Sequence, residues 1–217
     1  MNRTIIDLSY ELTDTMLVYP KNRRPVMEWL GRDNSEGYNL TYLQMIVHTG
    51  THVDSPLHFI GDGETIDAIP LDRLYGKTRL FSFKNPPKSQ EIKIADIMDD
   101  PDKLEESSIF VLRTGIEDFA EQSSYNYLYP VPSKELIELL IKKNIKAYMT
   151  DATSIDPVGV EVSENHLSIL GAGIPIVENL CNLASLADYG SFDISALPLR
   201  LVGREGSPCR AIAIVEH

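Results

Sequence analysis

Three of the five histidines in this 217-residue chain stand within eleven residues, in His48-Thr49-Gly50-Thr51-His52-Val53-Asp54-Ser55-Pro56-Leu57-His58-Phe59. Imidazole is the commonest metal ligand and the side chain that carries protons near neutral pH. Positions 48, 52, 54 and 58 are all even, so a fully extended chain would turn all four side chains to one face. Gly50 and Pro56 interrupt such a strand and rule out one continuous helix. The segment therefore reads as a strand end running into an irregular loop. The helical His-Glu-x-x-His pattern is absent, because Thr-Gly-Thr separates His48 from His52. Two imidazoles and a carboxylate are a typical set for a metal with an open position that takes water or a substrate oxygen. Imidazole suits zinc, iron, nickel and copper, and the carboxylate admits manganese. A lone histidine reads as a surface or structural residue; this cluster reads as a site.

Completion of the site has to come from elsewhere. His217 is the last residue and reads as a frayed end. His166 is the better candidate. It precedes Ile174-Pro175-Ile176-Val177-Glu178-Asn179-Leu180, where a carboxylate sits inside an apolar run. A buried Glu178 is costly unless it is paired or bound to a cation. The alternative is a strand-edge glutamate facing solvent, or one paired with Arg200 or Arg204. Asp151 and Asp156 raise a similar question, and Asp151 either orients a histidine ring from behind or caps a loop.

The elements that must position these residues follow from periodicity and punctuation. Thr4–Ser9 reads as a strand, Tyr19–Asn22 as a turn, and Tyr38–Met45 as a strand leading into the histidine cluster. Thr78–Phe83 and Ser108–Arg113 read as buried strands. Ser133 caps a helix whose apolar positions 136, 137, 140 and 141 form one stripe. Ile145–Thr150 reads as the next strand, and Ser163 with His166–Leu170 as a short helix stopped by Gly171. Ile174–Leu180 and Cys209–Val215 complete the set. Strands and helices mix without a strict βαβ rhythm, which fits an α/β or α+β domain with a mixed sheet; of the two, an α/β fold, a mixed sheet with flanking helices, is the expectation. Trp29, the only tryptophan, is read as core in preference to pocket lining.

The totals narrow the class. The length and the lack of a linker, repeat or low-complexity stretch predict a single domain over 1–217. With 32 acidic and 20 basic residues the formal charge is −12, which argues against nucleic acid or an anionic membrane as partner. Two cysteines form no disulfide framework, and Cys181 and Cys209 read as small buried residues, with a place near the metal open to Cys181. No signal-peptide core or membrane-spanning run is visible, so a cytoplasmic location is expected.

The segment His48–Phe59 strongly resembles the signature of the metal-dependent cyclase family, which includes bacterial kynurenine formamidases and isatin hydrolases. Asp151 through Asp156, His166, and Val177-Glu178-Asn179-Leu180 extend the resemblance, which runs from Ile6-Asp7-Leu8-Ser9 over nearly the whole chain. It implies a swivelling β/β/α fold, assembled as homodimers or homotetramers. In the formamidase branch the residues matching His48, His52, Asp54 and Glu178 hold one Zn2+. Those matching Asp54, His166 and Glu178 hold a second, so two zinc ions per subunit are implied. The isatin hydrolase branch holds one Mn2+ in the first cluster instead. The residue matching His58 gives and takes protons. Tyr19-Pro20-Lys21-Asn22 stands where formamidases carry Trp or Phe before a Pro-Gly-Asp type turn, with that aromatic contacting the substrate. Tyr19 keeps the aromatic face and adds a hydroxyl, and the turn loses its glycine. The departure bears on the substrate more than on the metal chemistry.

The function expected is a divalent-metal amidohydrolase cleaving an aryl formamide, N-formyl-kynurenine to kynurenine and formate. A metal makes hydroxide available near neutral pH, and His58 first accepts the water proton and then delivers it to the departing amine. The alternatives are a lactam hydrolase like isatin hydrolase, and a non-catalytic metal-binding relative.

Overall fold

Alternation within single strands sets the architecture. In Ile109–Arg113, Ile109 and Val111 join one apolar cluster while Phe110 and Leu112 join another. In Ala147–Thr150 the division is Ala147 and Met149 against Tyr148, and in Ile176–Glu178 it is Val177 against Ile176. Strands buried on both faces need a layer on each side.

The computed structural model describes residues 2–31, 37–83, 91–116 and 129–216. His217 lies outside the described residues. The strands are β1 (Arg3–Asp7), β2 (Val26–Gly31), β3 (Leu40–Gln44), β4 (His52–Asp54), β5 (Tyr75–Thr78), β6 (Leu80–Ser82) and β7 (Glu91–Ile92). They continue as β8 (Ile109–Arg113), β9 (Val131–Pro132), β10 (Ala147–Thr150), β11 (Ile176–Glu178), β12 (Phe192–Ser195), β13 (Gly206–Pro208) and β14 (Ile212–Glu216). The α-helices are α1 (Ile94–Ile97), α2 (Lys134–Lys142) and α3 (Glu164–Gly171).

A six-stranded mixed sheet of order β13-β4-β11-β10-β8-β6 is the middle layer. Its β11, β10, β8 and β6 run parallel, and β4 and β13 add an antiparallel edge. An antiparallel sheet of order β1-β14-β12-β5 covers one face, with Leu8, Val53, Val111, Met149, Ile194 and Val215 in the core between them. Helices α2 and α3 cover the other face over Phe110, Tyr148 and Ile176. The layers are β/β/α, as the resemblance implied. Most of the expected elements are present at their expected places, and Cys209–Val215 contributes β14, an inner strand between β1 and β12.

Three expectations need correction. Trp29 belongs to neither core nor pocket: it is 52 % exposed on β2. Helix α3 ends with Gly171 as its last helical residue rather than its stop; Ala172 caps it, and the left-handed glycine that follows is Gly173, at φ 73°. The two cysteines are half-buried rather than buried.

Candidate metal centre

The register of one strand pair builds the centre. Strand β4 runs antiparallel to β11 with His52 opposite Glu178 and Asp54 opposite Ile176. Directly opposed side chains share a face, and so do residues two apart on a strand. His52, Asp54 and Glu178 therefore project together to the helix side of the sheet, while Val53 and Val177 enter the core on the other side. His52 Nε2 lies 3.3 Å from Asp54 Oδ1 and 3.7 Å from Glu178 Oε2.

The remaining histidines arrive from outside the sheet. Gly50, at φ 65°, makes the turn into β4 and leaves His48 beside Asp54, with Nδ1 2.7 Å from Oδ1. After β4 a short 3-10 turn, Pro56–His58, swings His58 back so that its ring stacks on His48 at 4.0 Å. His166 sits in the first turn of α3 and puts Nε2 3.3 Å from Glu178 Oε1 and 3.8 Å from Asp54 Oδ2. All six residues expected at the site, His48, His52, Asp54, His58, His166 and Glu178, line one cavity or meet at its floor. Glu178 pairs with these histidines and accepts the Ile155 N–H at 3.1 Å, rather than pairing with Arg200 or Arg204.

The atoms present fit a cation. His52 Nδ1–H donates to Gly50 O at 2.8 Å, and His166 Nδ1–H donates to Asp156 Oδ2 at 2.6 Å. Each bond directs the other ring nitrogen, Nε2, toward the two carboxylates, the arrangement in which imidazole ligates a metal. Asp54 Oδ2 is buried and has no hydrogen-bond partner among the described residues, and neither has His48 Nε2. An unpaired carboxylate oxygen in the interior is costly, and a cation would remove that cost. One ligand atom from each of His52, Asp54 and Glu178 falls within a mutual span of 4.8 Å, as does one from each of His48, Asp54 and His58.

Proton affinities express the same surplus of negative charge. Burial works against a charged His52, but Asp54 beside it prevails and takes the imidazole up to about 9. Burial opposes a charged His166 as well, and Asp156 and Glu178 raise it to about 10. Burial raises Glu178, with Asp54 adding to the effect, whereas Asp54 stays well below the carboxylate range because the neighbouring imidazoles outweigh its own burial. His58 differs from the others. Burial lowers it to about 4 against the pull of Asp54, and the other three histidines push in the same direction as burial. Its ring is therefore neutral at pH 7 and able to accept a proton.

Asp156 is the residue whose role the sequence concealed. Its carboxylate accepts the backbone N–H groups of Asn165 (2.9 Å) and His166 (3.0 Å) as well as the His166 ring. It thus caps α3 in place of Ser163, which makes no side-chain cap bond, and fixes the His166 tautomer at the same time. Asp151, the residue expected either to orient a ring or to cap a loop, does the latter: it accepts the N–H groups of Thr114 and Gly115 at 2.6 and 2.9 Å. No spacing rule links Asp156 to a histidine ten residues on, so only the loop geometry reveals the pairing.

The cavity above the centre has a volume of about 450 Å3 and apolar and aromatic walls that include Tyr10, Leu17, Tyr19, Ile46 and Phe59. Phe59 stacks on His166 at 4.6 Å. Tyr19 reaches the cavity from the turn it begins, in which Asn22 N–H donates to Tyr19 O at 2.9 Å. Lys21 in that turn has φ 73°, the left-handed conformation for which glycine is suited. Burial, reinforced by Glu178 and Asp156, holds the Tyr19 phenol above its ordinary pKa. Cys181 lines a separate hollow with Asp7 and Ser9 and is not part of this cavity.

The Cyclase family model, described as "Putative cyclase", matches residues 6–157. This chain belongs to the cyclase family. Among curated relatives of this family member is a kynurenine formamidase of Salinibacter ruber, 28 % identical over 211 residues that cover 96 % of each chain. A kynurenine formamidase of Bacillus cereus is 29 % identical over 209 residues, 95 % of each. Among solved structures, a potential metal-dependent hydrolase with cyclase activity superposes with TM-score 0.80 at 25 % identity over the full length of both chains. Isatin hydrolase A from Labrenzia aggregata shares the fold, with TM-score 0.84 at 23 % identity over 99 % of this chain and 94 % of its own. The relatives so named are hydrolases of C–N bonds in non-peptide amides.

Proposed function

We propose that this protein is a divalent-metal-dependent amidohydrolase that cleaves an aryl formamide, with N-formyl-kynurenine as the leading substrate. The whole chain, 1–217, is read as one hydrolase domain acting in the cytoplasm. The observation that carries the reading is the convergence of His52 and His166 Nε2 on Asp54 and Glu178, with Asp54 Oδ2 holding no hydrogen bond among the described residues, at the floor of an aromatic cavity. Kinship along the full length with proteins named kynurenine formamidase supports the choice of bond.

His48, His52, Asp54 and Glu178 would hold one ion and Asp54, His166 and Glu178 a second, zinc in preference to manganese. A bound divalent ion supplies a lowered pKa for water and polarisation of the amide carbonyl. The protein's own groups account for the rest. Tyr19 and Phe59 line the space where an aryl group is held flat and water is displaced. His58, neutral at pH 7, accepts a proton on a ring nitrogen during attack and returns it to the departing arylamine, which is too poor a leaving group as an anion.

The test is turnover by metal-replete protein of N-formyl-kynurenine and of isatin in parallel, following formate, arylamine and ring opening, with elemental analysis of the protein purified without added metal. Release of formate with kynurenine is the expected result. Opening of isatin with no action on formamides would replace the substrate by a lactam. Inertness toward both amide classes, with metal bound, would refute the hydrolase reading and leave a metal-binding relative.

A further inference from the structure

The end of β11 breaks its own alternation at Asn179. Along the strand Ile176 and Glu178 face the helix layer and the metal centre, and Val177 faces the core between the sheets. Continued regularly, residue 179 would follow Val177 into that core and residue 180 would follow Glu178. The reverse is found: Leu180 is in the core between the sheets, and Asn179 lines the cavity. The N–H groups of Asn179 and Leu180, successive in the chain, both reach toward β10, to Ala152 O at 3.0 Å and Thr150 O at 2.9 Å. A regular strand sends successive N–H groups to opposite sides, so Asn179 is an inserted residue, a bulge of the kind that re-aims a side chain beside an active site. Its φ of 57° is left-handed, a conformation unfavourable to residues with a Cβ and least so to asparagine. Buried Thr51, next to His52, fastens it: Thr51 Oγ1 donates to Asn179 O at 2.5 Å and accepts the Tyr10 N–H at 3.0 Å. Asn179 is half-buried, and among the described residues no hydrogen bond engages its carboxamide.

We propose that the Asn179 carboxamide orients the substrate by donating an N–H to a carbonyl oxygen carried ortho to the scissile amide on the aryl ring. The proposal rests on the aryl amide reading above and adds which substituent the site selects. Three features choose this chemistry. Asn179 follows Glu178 directly, so its carboxamide meets a substituent next to the bond held at the centre rather than the far side of the ring. The amide is uncharged and offers a donor suited to a neutral carbonyl, whereas a carboxylate is met better by Arg or Lys. Leu17, Tyr19, Ile46 and Phe59 can grip a ring without fixing its rotation, and a placed polar group in such a wall supplies the orientation. N-formyl-kynurenine and isatin both carry a carbonyl at that ring position.

Asn179→Gly removes the carboxamide and suits the left-handed backbone. It should match or exceed the parent in a urea titration with chelator present and should bind Zn2+ as tightly. Zinc-loaded parent and variant are then compared on formanilide and on its ortho-acetyl derivative. The parent should prefer the ortho-acetyl compound, and the variant should lose roughly 3–10-fold of that preference, mainly in KM, the worth of one neutral hydrogen bond. Asn179→Asp, equally tolerant of the backbone but without the N–H donor, should show the same loss. An asparagine kept only for its backbone conformation would leave the preference unchanged in Asn179→Gly, and that result overturns the proposal. Calorimetry of 2-aminoacetophenone against aniline, the arylamines with and without the ortho carbonyl, gives a readout that needs no turnover. If the parent hydrolyses neither formamide, the hydrolase reading fails and this pair decides on Asn179. A preference for the carbonyl compound that weakens by the same factor in Asn179→Gly supports the proposal; an unaltered preference, equal affinities in the parent, or no binding of either arylamine overturns it.

Discussion

Replacing Asp156 by alanine removes three acceptor contacts at once. The two backbone N–H groups in the first turn of α3, from Asn165 and His166, lose their carboxylate at 2.9 and 3.0 Å, and the His166 ring loses its partner at 2.6 Å. Loss of a helix cap costs about 1 kcal/mol, and leaving a buried donor without an acceptor costs about 1–3 kcal/mol. Because these losses overlap, a total of about 3 kcal/mol is expected, or a fall in Tm of roughly 6–12 °C for a chain of this size. The ring is then free to turn or to change tautomer, and removal of such a support lowers metal affinity about 10–100-fold. Asp156→Asn separates the two effects. A single amide oxygen cannot serve both sides of the carboxylate, so the variant keeps part of the cap while weakening either the second N–H bond or the hold on His166. Chemical denaturation in the presence of a chelator gives the stability term without the metal, and competition with a chromophoric chelator gives the affinity. Both variants holding Zn2+ as tightly as the parent would refute the orienting role. An Asp156→Ala protein that melts with the parent in chelator would refute the capping role.

Four further outcomes follow from the same structure. His58→Ala should retain its metal while turnover falls about 10²–10⁴-fold, the usual worth of a positioned proton carrier; unchanged turnover with metal retained would remove His58 from the chemistry. Metal uptake at pH 7 should release about two protons per subunit with both sites filled, since His52 (about 9) and His166 (about 10) are charged below those values in the metal-free protein and must be neutral to ligate; titration in weak buffer measures this, and no release would contradict it. In Gly206→Ala the new Cβ falls 2.6 Å from His48 Cε1 and 3.0 Å from Val53 O, so stability should drop by about 1–3 kcal/mol with weaker metal binding, and urea titration with parental values would show that His48 is not held there. Lys21→Gly relieves a left-handed residue at φ 73° and should raise stability by about 0.5–1 kcal/mol after the entropy of glycine is subtracted; a fall in the denaturation midpoint would mean that the lysine side chain matters more than the turn.

What could be read along the chain was whatever depends on neighbours in sequence. The alternation of β8 and β10, the stripe on α2 with its Ser133 cap, and the common face of His52 and Asp54 are consequences of periods of two and 3.6, and the structure contains them. Ser133 accepts the Leu136 N–H at 3.3 Å as a cap should. Errors arose where a residue's partner is distant. Trp29 carries the hydrophobicity of a core residue, and nothing local to it says that its own fold leaves it outside. Asp151 and Asp156 are alike in type and five positions apart, and the choice between capping a loop and orienting His166 depends on how residues 151–165 wrap toward α3.

Residue types and short spacings by themselves determined the layered α/β class, the histidine cluster and the chemistry open to it, because side-chain direction within one element follows from backbone geometry. Only the tertiary structure decided that the cluster is joined by His166 and Glu178. The antiparallel register of β4 on β11 sets His52 opposite Glu178, and a slip of one residue would turn the carboxylate into the opposite core. It likewise decided which histidine holds which proton. Burial and the number of carboxylates within reach differ for His58 and His52 although the two stand only six positions apart, and those are properties of the assembled interior rather than of either side chain.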